Sequence, residues 1–304
     1  MTVLLTGGTG FLGRHVLTAL AGAGHDVVAT CRGEPPVTIR GVRWLRVDLH
    51  DRAAVGALMR DERPTHLLHM GWRAVYSDVA GARDNTEWLK TSLDLATAFI
   101  DAGGMRIVGS GSCFEYDWAD GICIEDVTPL NPSTYYGACK DALRAALTGL
   151  TREAGVSFCW PRMFFAYGPG ENEARFVAHM ARALLRGEPA EMTEGLQVRD
   201  FLYAGDIADA LAEIVASDVT GVLNIGSGDP VQLRDIAFTL ADQLGRRDLL
   251  RLGARAQKPH EPPRIIADMT RTHQALSWRA RTSLNDGLAR TIEALRAPQQ
   301  DTSP

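Results

Sequence analysis

Short apolar runs alternate along the chain with longer segments of helical period, the pattern of strand-helix-strand units laid around a parallel sheet. Val3 to Thr6 predicts the first strand and Phe11 to Ala23 the first helix, with further strands over Asp26 to Thr30 and Val42 to Val47. A helix over Arg52 to Arg60, a strand over His66 to Met70, a long helix from Asn85 to Ala102 and a strand from Arg106 to Ser110 follow. Ser133 to about Glu153 predicts another helix and Val156 to Arg162 another strand. On the long helix, Leu89, Leu93, Ala96 and Ile100 share one face and Trp88, Leu95 and Phe99 a second. One face is expected on the sheet; the second, with Trp88 and Phe99, is expected to meet a neighbour.

After Met163 the pattern loosens. A loop-rich stretch holds one helix (Glu173 to Arg186), then Gln197 to Leu202, Ile207 to Ser217 and Val222 to Ile225 return to strand and helix patterns. Two helical stretches follow Asp229, separated by the proline-rich linker Lys258 to Pro263, and the polar tail from Ala297 to Pro304 is expected to fray. The expected fold is α/β: a Rossmann-type doubly wound parallel sheet with a smaller C-terminal α/β substrate lobe. Residues 1–162 and 196–228 would form the dinucleotide-binding domain, and residues 163–195 and 229–300 the lobe, a small cap within 304 residues.

Charge narrows the partners. The 32 basic and 37 acidic side chains leave a net charge of -5, which supplies no positive field for a nucleic acid backbone. No run approaches the length of a membrane-spanning helix, and Met1 to Thr6 lacks the charged start of a secretory signal, so a soluble cytoplasmic protein is expected. Cys31, Cys113, Cys123, Cys139 and Cys159 are widely spaced and never form Cys-x-x-Cys, which suggests neither a disulfide framework nor a metal site.

The first strand runs into Gly7-Gly8-Thr9-Gly10-Phe11-Leu12-Gly13 and a helix follows at once. Glycines in this setting permit a tight turn, let the backbone approach a pyrophosphate and bring helix and strand together, while the helix N-terminus offers free amides to the anion. A dinucleotide site is the reading, with contacts expected from Gly7, Gly10, Phe11, Leu12, Gly13, Arg32, Asp48, Leu49 and Met70. Where many such sites place an acid after the second strand, this chain has Cys31-Arg32. An acid repels a 2'-phosphate and an arginine can bind it, so NADPH is the expected cofactor. Asp48 either reaches the adenine edge or caps its own loop.

Tyr136 and Lys140, four apart near the start of a helix, share one face; Tyr135 has Cys139 as its partner at that spacing, which offers no cation. Upstream stands Gly109-Ser110-Gly111-Ser112-Cys113-Phe114-Glu115-Tyr116. With these residues the chain resembles an extended short-chain dehydrogenase/reductase of the NAD-dependent epimerase/dehydratase type. The likeness continues through Pro161-Arg162, Tyr167-Gly168-Pro169-Gly170, Arg199-Asp200-Phe201, Asn224-Ile225-Gly226-Ser227-Gly228, Asp268 and Leu276-Ser277-Trp278, nearly the whole chain. The family pattern puts the catalytic hydroxyl four residues before the tyrosine that is here Tyr116, which selects Ser112 over Ser110.

The resemblance implies a catalytic set of Ser112, Tyr136 and Lys140: the tyrosine as general acid to a carbonyl oxygen, the serine holding that oxygen, the lysine binding the nicotinamide ribose and easing tyrosine ionisation. It implies a nucleotide-diphosphate sugar as substrate and a homodimer built on the two long helices. Family dehydratases carry an Asp-Glu pair after the catalytic hydroxyl, where this chain has Cys113 and Phe114, so dehydration is disfavoured. Phe165 stands where many relatives have a sugar-nucleotide-binding asparagine. Substrate contacts are expected among Trp72, Ser112, Cys113, Phe165, Arg175, Arg199 and Arg264; Trp72 reads equally as packing, and Arg175 and Arg264 equally as domain-packing ion pairs. Arg32 and the modest chain length together favour an NADPH-dependent reductase of a 4-keto-6-deoxy sugar nucleotide. A 4-epimerase using bound NAD and a non-catalytic cofactor-binding sensor are the alternatives.

Overall fold

The computed structural model describes residues 1–35, 38–73 and 83–297; the polar tail after Ala297 lies outside them. Its first half lays down β1 (Thr2–Thr6), α1 (Phe11–Gly22), β2 (Asp26–Cys31), β3 (Val42–Arg46), α2 (Arg52–Glu62), β4 (His66–His69) and α3 (Asp84–Asp101). Next come β5 (Arg106–Val108), β6 (Gly111–Ser112), a 3-10 turn (Cys113–Glu115), β7 (Ile122–Cys123), α4 (Tyr135–Ala154) and β8 (Ser157–Met163). The remainder contains β9 (Phe165–Tyr167), α5 (Phe176–Arg186), β10 (Ala190–Glu191), β11 (Val198–Tyr203), α6 (Ala204–Ala216), β12 (Gly221–Ile225) and β13 (Pro230–Gln232). It closes with α7 (Leu233–Leu244), β14 (Leu250–Arg251), β15 (Arg264–Ala267), α8 (Thr270–Ala275) and α9 (Leu284–Arg296).

The main sheet has the order β12-β8-β5-β4-β1-β2-β3, all parallel, with β6 added beside β8. Its central strands are apolar on both faces because helices cover both: Val3, Leu4 and Leu5 of β1 and Val27 and Val28 of β2 are fully buried. The order reverses between β1 and β4, so a crevice opens beyond their C-terminal ends, the place where such sheets bind ligands. Thr6 Oγ1 and His69 Nδ1 lie 2.7 Å apart across that point, and Thr6 Oγ1 also accepts the Gly71 N–H at 3.0 Å.

The doubly wound parallel sheet expected from the pattern is present, with three differences. First, the strand expected over Arg106 to Ser110 is broken: β5 stops at Val108 and pairing resumes at β6. The Trp160 indole packs against this segment so closely that a Cβ on Gly109 or Gly111 would meet it at 2.3 and 2.5 Å. Second, Val198–Tyr203 was expected with the main sheet; it pairs instead with β9, β13 and β15 in a five-stranded second sheet that also holds β7. Local periodicity identifies a strand but not its partner. Third, Phe99, expected on an outward face of α3, is fully buried with Leu95 against the sheet, leaving Leu89, Leu93 and Ile100 half-buried on that helix. Phe99 therefore has no role in a subunit contact.

Candidate active site

The glycine turn is built as the motif requires. A Cβ on Gly7, which has φ +75°, would meet the Met70 carbonyl at 2.7 Å, and one on Gly13 would meet the Gly7 oxygen at 2.1 Å. Side chains at either position would push apart the turn, α1 and the loop after β4. The α1 terminus has no side-chain cap, as is also true of α3, α5, α6, α7 and α8, whereas Asp51, Thr134 and Ser283 cap α2, α4 and α9. Uncapped first-turn amides at the crevice fit a dinucleotide pyrophosphate. Arg32 lies exposed at the end of β2. Asp48 accepts the His50 N–H at 3.1 Å, the loop-capping alternative. Leu49 is buried in the core.

Tyr136, Lys140 and Ser112 come together at the same end of the sheet. Thr134 accepts the Gly137 N–H at 3.1 Å and so starts α4 just before Tyr136. Gly137 lets this turn sit on the Ser112 loop, since a Cβ there would meet the Phe114 oxygen at 2.0 Å. Lys140 is 3 % exposed, and its Nζ donates to the Ser110 carbonyl at 2.9 Å and approaches Ser110 Oγ at 3.3 Å. Burial pulls the Lys140 ammonium down to about 7 against an opposing pull from Glu115. Ser112 begins the 3-10 turn, with its Oγ accepting the Phe114 N–H at 3.3 Å.

Aromatic rings wall the half-buried Tyr136. Trp72 and Phe114 meet it edge-on with centroids 6.2 and 6.0 Å away. Phe114 extends the wall to Trp118 at 5.0 Å and to Phe165 at 6.3 Å, and Phe165 continues to Phe201 at 5.7 Å. Trp72 therefore packs on the centre itself, with Lys140 Nζ over its ring. A cleft of about 350 Å³ opens beside this wall, lined by Trp118, Asn131, Ser133, His260 and Pro262 among others. Trp118 and His260 carry no motif, and only their tertiary neighbours bring them to the cleft.

Several expected substrate contacts change. Cys113 is 1 % exposed, its side chain turned into the core and its thiol pushed well above its ordinary range by burial, so it is not a substrate contact. Arg175 pairs with Glu171 at 2.9 Å, the ion-pair alternative. Arg199 is 5 % exposed, pairs with Glu261 at 3.2 Å and donates to the Val198 carbonyl at 2.9 Å, so its fork is already engaged. Arg264 is exposed on β15, its stem against Gly121. The adjoining Asp200 is structural: it accepts from the backbone N–H groups of Ser227, Gly228 and Ala267 and from the Ser227 hydroxyl.

Comparison with known proteins agrees with this architecture. A UDP-glucose 4-epimerase of Thermus thermophilus, solved as a complex with NAD, superposes with a TM-score of 0.88 at 26% identity, covering 98% of this chain and 99% of that one. The two cover each other almost entirely, so chain length does not favour a reductase over an epimerase, contrary to expectation. MoeE5, solved with UDP-glucuronic acid and NAD, is 32% identical with a TM-score of 0.84 over 97% of this chain and 99% of that one. A dTDP-6-deoxy-L-talose 4-dehydrogenase (NAD(+)) of Aggregatibacter actinomycetemcomitans is 25% identical over 77% of this chain and 87% of its own. Among the described residues no helix is long and apolar enough to cross a membrane. The model of the NAD dependent epimerase/dehydratase family matches residues 3–226, from the glycine turn through the Ser112, Tyr136 and Lys140 centre to the last strand of the main sheet, and the chain belongs to that family.

Proposed function

We propose that the chain reduces the keto group of a 4-keto-6-deoxy sugar nucleotide, with NADPH as the reductant. The observation that carries this reading is the aromatic wall of Phe114, Trp118 and Phe165 around Tyr136. A 4-epimerase must offer both faces of one ring carbon to the same hydride site, so its keto sugar has to turn over between two transfers. Bulky rings that confine the sugar on one side favour a single facial transfer. The same wall suits a methyl group at C6, because an unpaired hydroxyl against it would cost about 1–3 kcal/mol.

The bound cofactor supplies the hydride. Tyr136 donates the proton to the keto oxygen, Ser112 Oγ holds that oxygen, and the Lys140 ammonium stabilises the tyrosinate left behind. The uncapped α1 terminus receives the pyrophosphate and Arg32 the 2'-phosphate. The buried Cys113 and the hydrocarbon ring of Phe114 provide neither acid nor base for elimination of water. The likeness to the 6-deoxytalose 4-dehydrogenase supports net oxidoreduction on a 6-deoxy sugar. A second reading, 4-epimerisation with retained NAD, is favoured by the likeness to the Thermus UDP-glucose 4-epimerase. Half-buried Leu89, Leu93 and Ile100 on α3 support the homodimer.

A panel of 4-keto-6-deoxy sugar nucleotides incubated with NADPH tests the assignment. Stoichiometric NADPH oxidation with a new carbinol in the product is the expected result. Isomerisation without net oxidation would establish the epimerase instead, and tight cofactor binding without turnover of any member would leave a sensor.

A further inference from the structure

Behind Ser112 lies a carboxylate to which the motif reading gives no role. Glu115 ends the 3-10 turn that Ser112 begins, and it is 0 % exposed. Its Oε1 accepts the Ser112 backbone N–H at 2.7 Å, its Oε2 accepts Arg162 Nε at 2.7 Å, and Trp160 Nε1 donates to both oxygens at 3.1 and 3.0 Å. Arg162 is itself buried, its guanidinium carbon 4.4 Å from the centre of the Tyr116 ring. Apolar residues of like volume commonly fill such a space at no loss of stability, so a buried ion pair here calls for a reason other than stability.

The surrounding geometry supplies one. A Cβ on Gly111 would meet Glu115 Oε1 at 2.9 Å and Trp160 Nε1 at 2.5 Å, so the glycine admits the carboxylate to this strand. One residue earlier the Lys140 ammonium holds the Ser110 carbonyl at 2.9 Å. The segment from Ser110 to Ser112 is thus gripped at one end by a cation and at the other by an anion. Other groups that face Lys140 are the Ser110 hydroxyl, the Trp72 ring, Tyr136 on its own helix and His69 from β4. His69 is held down at about 3 by burial and by the ammonium, so it is neutral and adds no charge.

We propose that Glu115 is a positioning residue of the reaction centre: its carboxylate fixes the Ser112 backbone and balances the Lys140 ammonium along the Ser110–Ser112 segment. The proposal rests on the roles given above to Ser112 and Lys140. Burial lowers the Lys140 ammonium and Glu115 opposes that fall, in the direction the proposal requires.

The chain has three lysines, Lys90, Lys140 and Lys258, so isotope-labelled lysine gives a simple NMR spectrum in which a Lys140→Met variant identifies the Lys140 signal. Glu115→Gln keeps an acceptor for Ser112 and removes the charge. It is expected to lower the Lys140 titration midpoint by about one pH unit, while Arg162→Met, which leaves the carboxylate in place, does not lower it. Should Glu115→Gln not fold, the double variant Glu115→Gln/Arg162→Met is compared with Arg162→Met, and the double is expected to titrate lower. An unmoved midpoint, or an equal fall in Arg162→Met, overturns the proposal. The alkaline limb of kcat/KM is expected to follow the NMR midpoint, which a purely structural role would not produce. The titration needs no sugar, so a shifted midpoint without turnover of any keto sugar would overturn the reductase reading and leave the Glu115 placement standing.

Discussion

The Lys140 ammonium lies 4.1 Å from the centroid of the Trp72 ring, whose indole N–H is tied to Asn85 Oδ1 at 2.8 Å. The ring also meets Tyr136 edge-on, so one side chain packs on both members of the proposed acid and ammonium pair. A desolvated cation–π contact is worth about 2 kcal/mol. Trp72→Leu is therefore expected to lower kcat/KM by about ten- to thirtyfold, with Trp72→Phe retaining most of the activity. Steady-state kinetics of the two variants checks this, and equal losses would refute the role of the ring face.

A second expectation concerns pH. Burial brings the Lys140 ammonium down to about 7, so the charge is present below that pH and is lost as pH rises through it. The profile of kcat/KM, which reports groups in the free enzyme, should fall on its alkaline side from about pH 7. Lys140→Met should show a much lower rate without that limb.

Removing the proposed acid is a more severe change. Tyr136→Phe should lower turnover by about a hundred- to ten-thousandfold while leaving NADPH affinity, measured by fluorescence titration, close to that of the parent. A variant with full turnover would exclude Tyr136 as the proton donor.

The proposed cofactor choice turns on Arg32. Cys31 is paired in register with Arg46, which is engaged by Glu34, and the exposed Arg32 next to Cys31 is the cation proposed to receive a 2'-phosphate. A charge-assisted hydrogen bond is worth about 1.5–3 kcal/mol, so Arg32→Ala should reduce kcat/KM for NADPH by about ten- to a hundredfold and leave NADH almost unaffected. Parallel kinetics with both cofactors checks this, and a parent preference for NADH would remove this role.

Stability should also depend on pH through Glu171. Burial outweighs the attraction of Arg175 and a backbone hydrogen bond from Ala178 and raises this carboxyl to about 7. Between its ordinary value and 7 the folded chain holds a proton that the unfolded chain has released, so the contribution to stability falls as pH rises through that interval. Glu171→Gln should raise the melting temperature more at pH 8 than at pH 5, as measured by calorimetry. A larger gain at pH 5 would reverse the assignment.

The glycine turn, the parallel sheet and the Ser112, Tyr136 and Lys140 set were legible in the sequence because each depends on short-range spacing. Gly13 has its effect within one strand-turn-helix unit, where a Cβ would meet the Gly7 oxygen, and Tyr136 and Lys140 share a face through helical period alone. Other features depend on partners far away in the chain. Phe99 turned inward, Cys113 went into the core, Arg199 found Glu261 sixty-two residues on, and β11 joined the second sheet. Periodicity shows that a face is apolar, but not which surface covers it, and a lone arginine does not announce its carboxylate. What the sequence determined by itself is the local arrangement proposed to hold a dinucleotide and move a proton. Only the tertiary structure decided which aromatic rings surround Tyr136 and that Glu115 lies buried behind Ser112, because those contacts join strands, turns and helices that meet only when the sheet closes.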